Sequence, residues 1–437
     1  MSRYLFATLP SNDFGLLTQS LPIAYELKLM GNEVNFCHPS KRPQILIREA
    51  GFKNLLHDDP LYRLIGSESL LDLLKMGKPF RTLKALASMM MGMRNFQRLA
   101  RELRNADDFN AMFFNNSDFV RANIDALAEI IESSRADTVV NFWNPWACIA
   151  ARSLKKPLIS VMLSLGHPQS PGIIWWKDVP PSIPSPVPFT NRILDQYSLP
   201  PIKSTADLFL GDLNMVLGTP ELDPLPDTSQ VTYIGAVLWQ NPEAVIPEWI
   251  NELKADRPIV WIYPGTLRYH NLNRSGEILL RAAIQALAKE DVQVVLTTGY
   301  NDLHRSLLPL PSNFRFEPFI PGLAMAEKSD LMIHHGGYGS CQTGLYTGTP
   351  AVIIPTYSER ECNARRVIAQ GAGEMVLPTY DASGKKMKID SVELAAKVRK
   401  VLLTTSYKEN AKRISIKLRE YGGASEAARL INEAIKP

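Results

Sequence analysis

The chain of 437 residues contains no run approaching 18 consecutive apolar residues, so no segment reads as a helical bilayer span. Cysteine is scarce. Cys37, Cys148, Cys341 and Cys362 lie far apart and form no Cys-x-x-Cys pair, which indicates neither a zinc ribbon nor a disulfide framework and points to a reducing compartment. Charge of one sign is lacking too. Lys and Arg exceed Asp and Glu by only 48 to 44, and a net +4 read as spread along the chain excludes the basic footprint of a nucleic-acid binder. The N-terminal MSRYLFATLP lacks the apolar core and small-residue cleavage site of a signal peptide. It reads as a buried strand, and a cytoplasmic protein is expected. What is present is ordinary for a globular chain, 45% apolar and 21% charged, long enough for about two or three domains.

Short Val-, Ile- and Leu-rich runs alternate with longer helical patterns. Strands are expected at Tyr4–Leu9, Glu33–Cys37, Thr138–Phe142, Leu158–Leu163, Ile259–Tyr263, Val292–Thr297, Leu331–His334 and Ala351–Pro355, with a first helix over Gln19–Met30. Continuous apolar strands separated by helices predict a parallel sheet covered on both faces, the doubly wound α/β class. A break at Asp223-Pro224-Leu225-Pro226-Asp227, after which the alternation resumes, predicts two Rossmann-like domains, 1–222 and 223–437. The last helix, about Ser425–Ile435, is expected to pack back across the junction.

Prolines are unevenly placed. The segment His167–Pro201 holds nine of the 32 and two adjacent tryptophans, Trp175 and Trp176. Proline supplies no backbone donor and fixes φ, so the segment reads as a long loop, either a binding arm or a structural one. Residues 61–111 read as helical and carry Met89-Met90-Met91 and Met93. Such a cluster packs a core or, with Trp143, Trp146, Trp175 and Trp176, lines an apolar cleft for a small hydrophobic ligand.

The stretch Leu331–Gly373 carries the chemistry. A strand runs into His335-Gly336-Gly337-Tyr338-Gly339-Ser340, where a helix begins. Glycines at such a turn let the backbone approach a ligand, and the helix N-terminus offers N–H donors and a partial positive charge to an anion. His335 and Ser340 add donors suited to a diphosphate. The same glycines also fit a tight turn with no ligand.

This stretch resembles the donor-binding signature of family 1 glycosyltransferases. The matching residues are His335, Gly336, Gly337, Gly339 and Ser340, then Gly348-Thr349-Pro350, Pro355, Asn363-Ala364 and Gly371-Ala372-Gly373. Upstream, Arg257–Thr266 resembles the family's entry to its second domain, and Asn313–Gly322 resembles the strand and turn that meet the nucleotide base. The resemblance implies the GT-B fold, two Rossmann-like domains facing across a cleft, and an inverting transfer of a sugar from a nucleoside diphosphate to a small hydrophobic acceptor. By it, His335 stabilises the diphosphate, aided by Gly265, Thr266, Gly337, Gly339 and Ser340. No cofactor beyond the nucleotide sugar and no metal are expected, and no Asp-x-Asp pair sits in a suitable loop.

Two donor positions depart from the family pattern. The acidic residue that binds the ribose hydroxyls falls on Thr343, which leaves either a uridine or a thymidine donor open. The Asp-Gln pair that grips the sugar becomes Glu359-Arg360, with Arg360 either beside the sugar or paired with Glu359 or Glu361. In the first domain the family's catalytic histidine falls on Leu16 and its partner aspartate near Asn144. Neither can perform that role. Asp13, in the loop after the first strand, is the expected replacement base, with His38 and His167 as weaker candidates; an acidic acceptor needing little help is a further possibility. The lost dyad also admits a non-catalytic homologue that binds nucleotide sugar or a partner. Oligomeric state is open.

Overall fold

The computed structural model describes residues 1–434 apart from 13, 67–69, 180, 182, 242, 254–255, 267–274 and 382–385. The chain divides into two compact units, Met1–Trp239 with Tyr421–Pro437, and Gln240–Glu420.

The first unit is built on seven strands: β1 (Arg3–Thr8), β2 (Glu33–Phe36), β3 (Lys53–Asn54), β4 (Thr138–Phe142), β5 (Leu158–Met162), β6 (Leu213–Val216) and β7 (Thr232–Tyr233). They pair in the order β3-β2-β1-β4-β5-β6-β7, every pair parallel. All five residues of β4 and of β5 are buried, because helices cover both faces of the sheet. The first helix begins at Gly15, earlier than its apolar period suggests, with Thr18 N–H bonded to the Phe14 carbonyl (2.8 Å).

The boundary between the units lies after Trp239 instead of at residue 222. Strands β6 and β7 are added to the first sheet, so the chain through Tyr233 is held by ladder bonds to that sheet. The closing helix, Gly423–Ala434, belongs to the same unit. Gly423 N–H bonds the Ile234 carbonyl (2.8 Å), and Asn32 donates to Asn432 (3.3 Å).

The second unit repeats the plan with β8 (Ile259–Tyr263), β9 (Gln293–Leu296), β10 (Phe314–Phe316), β11 (Leu331–His334), β12 (Ala351–Ile353) and β13 (Gly373–Met375), in the order β10-β9-β8-β11-β12-β13. A small antiparallel pair, β14 (Thr379–Tyr380) and β15 (Met387–Lys388), stands apart from the sheet. The core comes from Val260, Ile262, Leu296, Ile333, Val352 and their helical neighbours. In both sheets the strand order reverses next to the first strand, between β1 and β4 and between β8 and β11. A doubly wound sheet opens a crevice at the carboxyl ends of the strands at that point, and ligands bind there.

The proline-rich segment is not all loop. Val187–Gln196 is a helix with Pro186 as its N-cap and Pro188 in its first turn, where a missing N–H costs no intrahelical bond. Among the described residues no helix is long and apolar enough to cross a membrane.

Candidate donor site and the opposite strand ends

Strands β8 and β11 pair so that His334 lies opposite Tyr263. The segments leaving them, Pro264-Gly265-Thr266 and His335-Gly336-Gly337, therefore meet at the switch point of the second sheet. Gly336 takes φ +84, and a Cβ there would stand 2.8 Å from the Arg360 carbonyl, so the turn requires glycine. The His335 ring is slotted between two further glycines. A Cβ on Gly265 would come within 2.9 Å of its Cε1, and one on Gly337 within 2.5 Å of its Nε2. Tyr263 meets the ring edge-on with centroids 6.2 Å apart. The His335 Nδ1 is buried, with no hydrogen-bond partner among the described residues.

The helix Tyr338–Thr347 starts at once. Its first intrahelical bond runs from Cys341 N–H to the Gly337 carbonyl (3.1 Å), no side chain caps the end, and no acidic residue sits in the first turn. The N–H groups of a first turn have no partner within their helix. A Cβ built on Gly339 meets nothing within 4 Å, so that position leaves open space beside the helix end. Ser340 is buried in the same turn. The assembly offers an anion a partial positive charge, backbone donors and an imidazole.

That imidazole is neutral. Burial holds His335 well below its ordinary range, with Arg360 and His334 adding to the effect and a hydrogen bond to the Tyr263 backbone opposing it. Burial likewise pushes His334 down to about 3 and His38 down to about 4. Below pH about 6.5 the unfolded chain takes up protons on these histidines while the folded chain does not, so stability falls with pH. Each such histidine costs about 1.4 kcal/mol per pH unit below that point, until its folded value is reached. The melting temperature is expected to drop steeply between pH 6.5 and 4; a level profile there would contradict the burial of these rings.

The remaining positions expected at the donor site cluster around the turn. Asn363, buried on the helix Ser358–Ala369, donates to both the Gly336 carbonyl (3.0 Å) and the Glu359 carboxylate (2.7 Å), tying that carboxylate to the glycine turn. Arg360 donates to Thr356 (2.6 Å) and lies 4.5 Å over the Tyr357 ring, while Glu361 pairs with Arg365 (2.7 Å). The Thr343 hydroxyl donates to the Gly339 carbonyl (2.8 Å), so only its lone pairs are left for a ligand. Thr266 lies 3.5 Å from the Tyr263 hydroxyl. The sequence reading did not single out Asn363 as a site residue, nor an exposed stacked pair, Tyr300 on Phe319, with centroids 4.2 Å apart and planes 9° from parallel. Phe319 lies within the Asn313–Gly322 motif, which was the available signal for that pair.

At the corresponding ends of the first sheet, Leu9 N–H bonds the Phe142 carbonyl (2.9 Å). Asn144 joins the two strands by donating to the Thr8 carbonyl (3.1 Å), and it caps the helix Pro145–Ser153 by accepting from Ala147 N–H (3.1 Å). Leu16 sits in the first turn of the helix Gly15–Leu29. Asp13 lies outside the described residues.

The expected aromatic lining is largely internal. Trp146 is fully buried, with Phe113 and Phe119 edge-on to its ring, and so is core instead of cleft wall. Trp143, at φ +58, is packed between Phe109 and Phe209. Trp175 is exposed and meets the partly buried Trp176 edge-on. His167 is buried, with Nε2 3.1 Å from the Ser229 carbonyl and Nδ1 accepting from Gln169 N–H (3.2 Å). His38 is buried beside Ser40, whose N–H it accepts (3.1 Å). Both rings are engaged in holding loops.

Comparison with known proteins agrees with the second sheet's site. Residues 281–422 match the family described as erythromycin biosynthesis protein CIII-like, C-terminal domain. The chain is 33% identical over 231 residues to 4′-demethylrebeccamycin synthase of Lentzea aerocolonigenes, covering 51% of this chain and 50% of that protein. It spans about half the length of the curated relatives it matches. Over nearly the whole chain it is similar in structure to the glycosyltransferase SnogD from Streptomyces nogalater, with a TM-score of 0.65, 21% identity and 99% of each chain covered. It is likewise similar to spinosyn rhamnosyltransferase SpnG complexed with thymidine diphosphate, with a TM-score of 0.67, 18% identity, and 98% of this chain and 100% of that one covered.

Proposed function

We propose that this chain, a member of the antibiotic-type family 1 glycosyltransferases with the GT-B fold, transfers a sugar from a nucleoside diphosphate to a small hydrophobic acceptor with inversion. The observation that carries the reading is the turn His335–Gly337, which sets an uncapped helix end beside a buried imidazole nitrogen without a partner. Negative charge develops on the diphosphate as the sugar bond breaks, and fixed donors aimed there lower the barrier. With its single proton on Nδ1, a neutral His335 supplies such a donor without needing a proton from solvent, and metal-independent transfer is part of the proposal.

In the displacement, the acceptor oxygen bonds to the anomeric carbon on the face opposite the diphosphate. The carbon–oxygen bond to the diphosphate breaks, and its electron pair leaves with that group. The acceptor proton passes to a base. We assign that role to Asp13, since leucine at position 16 cannot take a proton and Asn144 is engaged as a helix cap. Glu359, held by Asn363, and Arg360 are assigned to the sugar, and Trp175 and Trp176 to the acceptor.

The donor nucleotide is assigned as thymidine diphosphate over uridine diphosphate. A carboxylate can accept from both ribose hydroxyls, whereas Thr343 has its own proton committed to Gly339 and one oxygen to offer. Deoxyribose has no 2′-hydroxyl to satisfy. The similarity to a rhamnosyltransferase complexed with thymidine diphosphate agrees with this. All four cysteines are free and buried, which fits the cytoplasm as the working compartment. A non-catalytic homologue is not favoured, since the relatives named above are enzymes.

The test supplies thymidine- and uridine-linked donors with a panel of hydrophobic alcohols and phenols, then measures nucleoside diphosphate release and the anomeric configuration of the product. Release with inversion, faster from the thymidine donor, is expected. Binding without release across the panel, or retained configuration, would sink the reading. Undiminished turnover in Asp13→Asn would remove Asp13 as the base.

A further inference from the structure

The positive charge of the chain is not evenly spread, contrary to the reading of its composition. Residues 70–99 of the first unit, two consecutive helices (Leu70–Lys75 and Pro79–Leu99) with the turn between them, carry Lys75, Lys78, Arg81, Lys84, Arg94 and Arg98 against a single acid, Asp72. Their net +5 exceeds the +4 of the whole chain. Lys78 is paired with Asp59 (2.6 Å).

The same helices show solvent the wrong side. On the longer one Phe80, Leu83, Ala87, Met90 and Met91 are exposed, while Thr82, Ala85 and Gly92 are buried. At 3.6 residues per turn those five exposed positions fall within an arc of about 100°, one face of the helix. Leu70 and Leu71 on the shorter helix and Met76 just after it are also exposed. Phe80 is 80% exposed, Leu71 70% and Met91 66%. Apolar residues scattered singly over a surface need no explanation, but a contiguous apolar face marks an interaction site. Arg94 lies within this face, Lys84 lies just beyond its edge and Arg81 further round on the same side, all exposed.

The charge decides the occupant. A second copy across a twofold axis would press this cationic face against itself. Apolar side chains interleaved with Lys and Arg are the composition of a helix lying in a membrane interface, where anionic headgroups meet the cations. The long Lys and Arg stems can lie along apolar surface while their charges reach the headgroups. We propose that these two helices dock the protein on an anionic lipid bilayer. Phe80, Leu83, Met90 and Met91 enter the acyl boundary, and Lys75, Arg81, Lys84 and Arg94 meet the headgroups. The attachment is peripheral. It stands independently of the transfer reaction; if that reading also holds, it brings the enzyme to the phase in which a hydrophobic acceptor partitions.

Sedimentation of the whole chain with phosphatidylcholine vesicles, with and without phosphatidylglycerol, tests the proposal. Binding is expected only with the anionic lipid and should weaken as salt rises. The double variants Met90→Glu/Met91→Glu and Arg81→Glu/Lys84→Glu should each lower partitioning about tenfold or more, with unchanged thermal unfolding. Leu403→Glu, at an exposed apolar position in the second unit, should change nothing. Should a double variant fail to fold, the single Lys84→Glu still reads the electrostatic part. Absent binding, equal binding to neutral and anionic vesicles, or a dimer by light scattering that Met90→Glu/Met91→Glu dissociates would each overturn the proposal.

Discussion

Replacing His335 by alanine is expected to lower kcat by about a hundredfold to a thousandfold, the loss typical when one fixed donor to a developing oxyanion is removed. The ring sits between Gly265 and Gly337, positions whose lack of a side chain leaves it room, and its Nδ1 has no partner among the described residues. Its role is therefore directed at a ligand more than at the fold. Burial already keeps the imidazole neutral, so the donor does not depend on protonation. Turnover should not decline as pH rises through the ordinary histidine range. His335→Gln, which keeps a neutral donor, should recover part of the loss. Steady-state kinetics on the three proteins decide the matter, and an alanine variant with undiminished kcat would remove His335 from the mechanism.

The two adjacent glycines should separate activity from stability. Gly337 has an ordinary backbone conformation (φ −60), so alanine is tolerated there by the chain. Its Cβ, however, would fall 2.5 Å from the His335 Nε2, and the movable partner is the imidazole. Gly337→Ala is expected to displace the ring and lose activity nearly as His335→Ala does, with little change in melting temperature. Gly336 differs. Its left-handed conformation costs an alanine about 1–2 kcal/mol, and the added Cβ meets the Arg360 backbone carbonyl, which cannot swing aside. Gly336→Ala should lower the melting temperature clearly as well as activity. Thermal unfolding and kcat on both variants give the comparison, and full turnover in Gly337→Ala would show that the ring is not held as described.

How far the sequence foretold these features depended on whether the deciding forces were local. Strands β4, β8 and β11 lie where their apolar runs place them, because a strand buried on both faces must be continuously apolar. The glycine turn was legible for the same reason, since φ and backbone crowding restrict residue type directly. Strands β3 and β7 are two residues each, Lys53-Asn54 and Thr232-Tyr233, too short for their own sequence to set them as strands. They exist only through their neighbours, and β7 is what moves the unit boundary past residue 222. Trp146 could not be placed from sequence because its burial depends on how the helix Pro145–Ser153 meets Phe119 on another helix. The bond from Asn363 to Gly336 likewise spans 27 residues of chain and arises only in the folded unit, although the bond to Glu359 is one turn of the same helix.

The central claim is that the β11 turn and the helix it starts hold a nucleoside diphosphate. Calorimetric titration of thymidine diphosphate into the whole chain, in a buffer containing a chelator, tests it most directly. The account predicts saturable binding at one site, tighter than for uridine diphosphate and sharply weakened by His335→Ala. Absence of binding by either nucleotide, or equal affinity in the wild-type and alanine proteins, would contradict it.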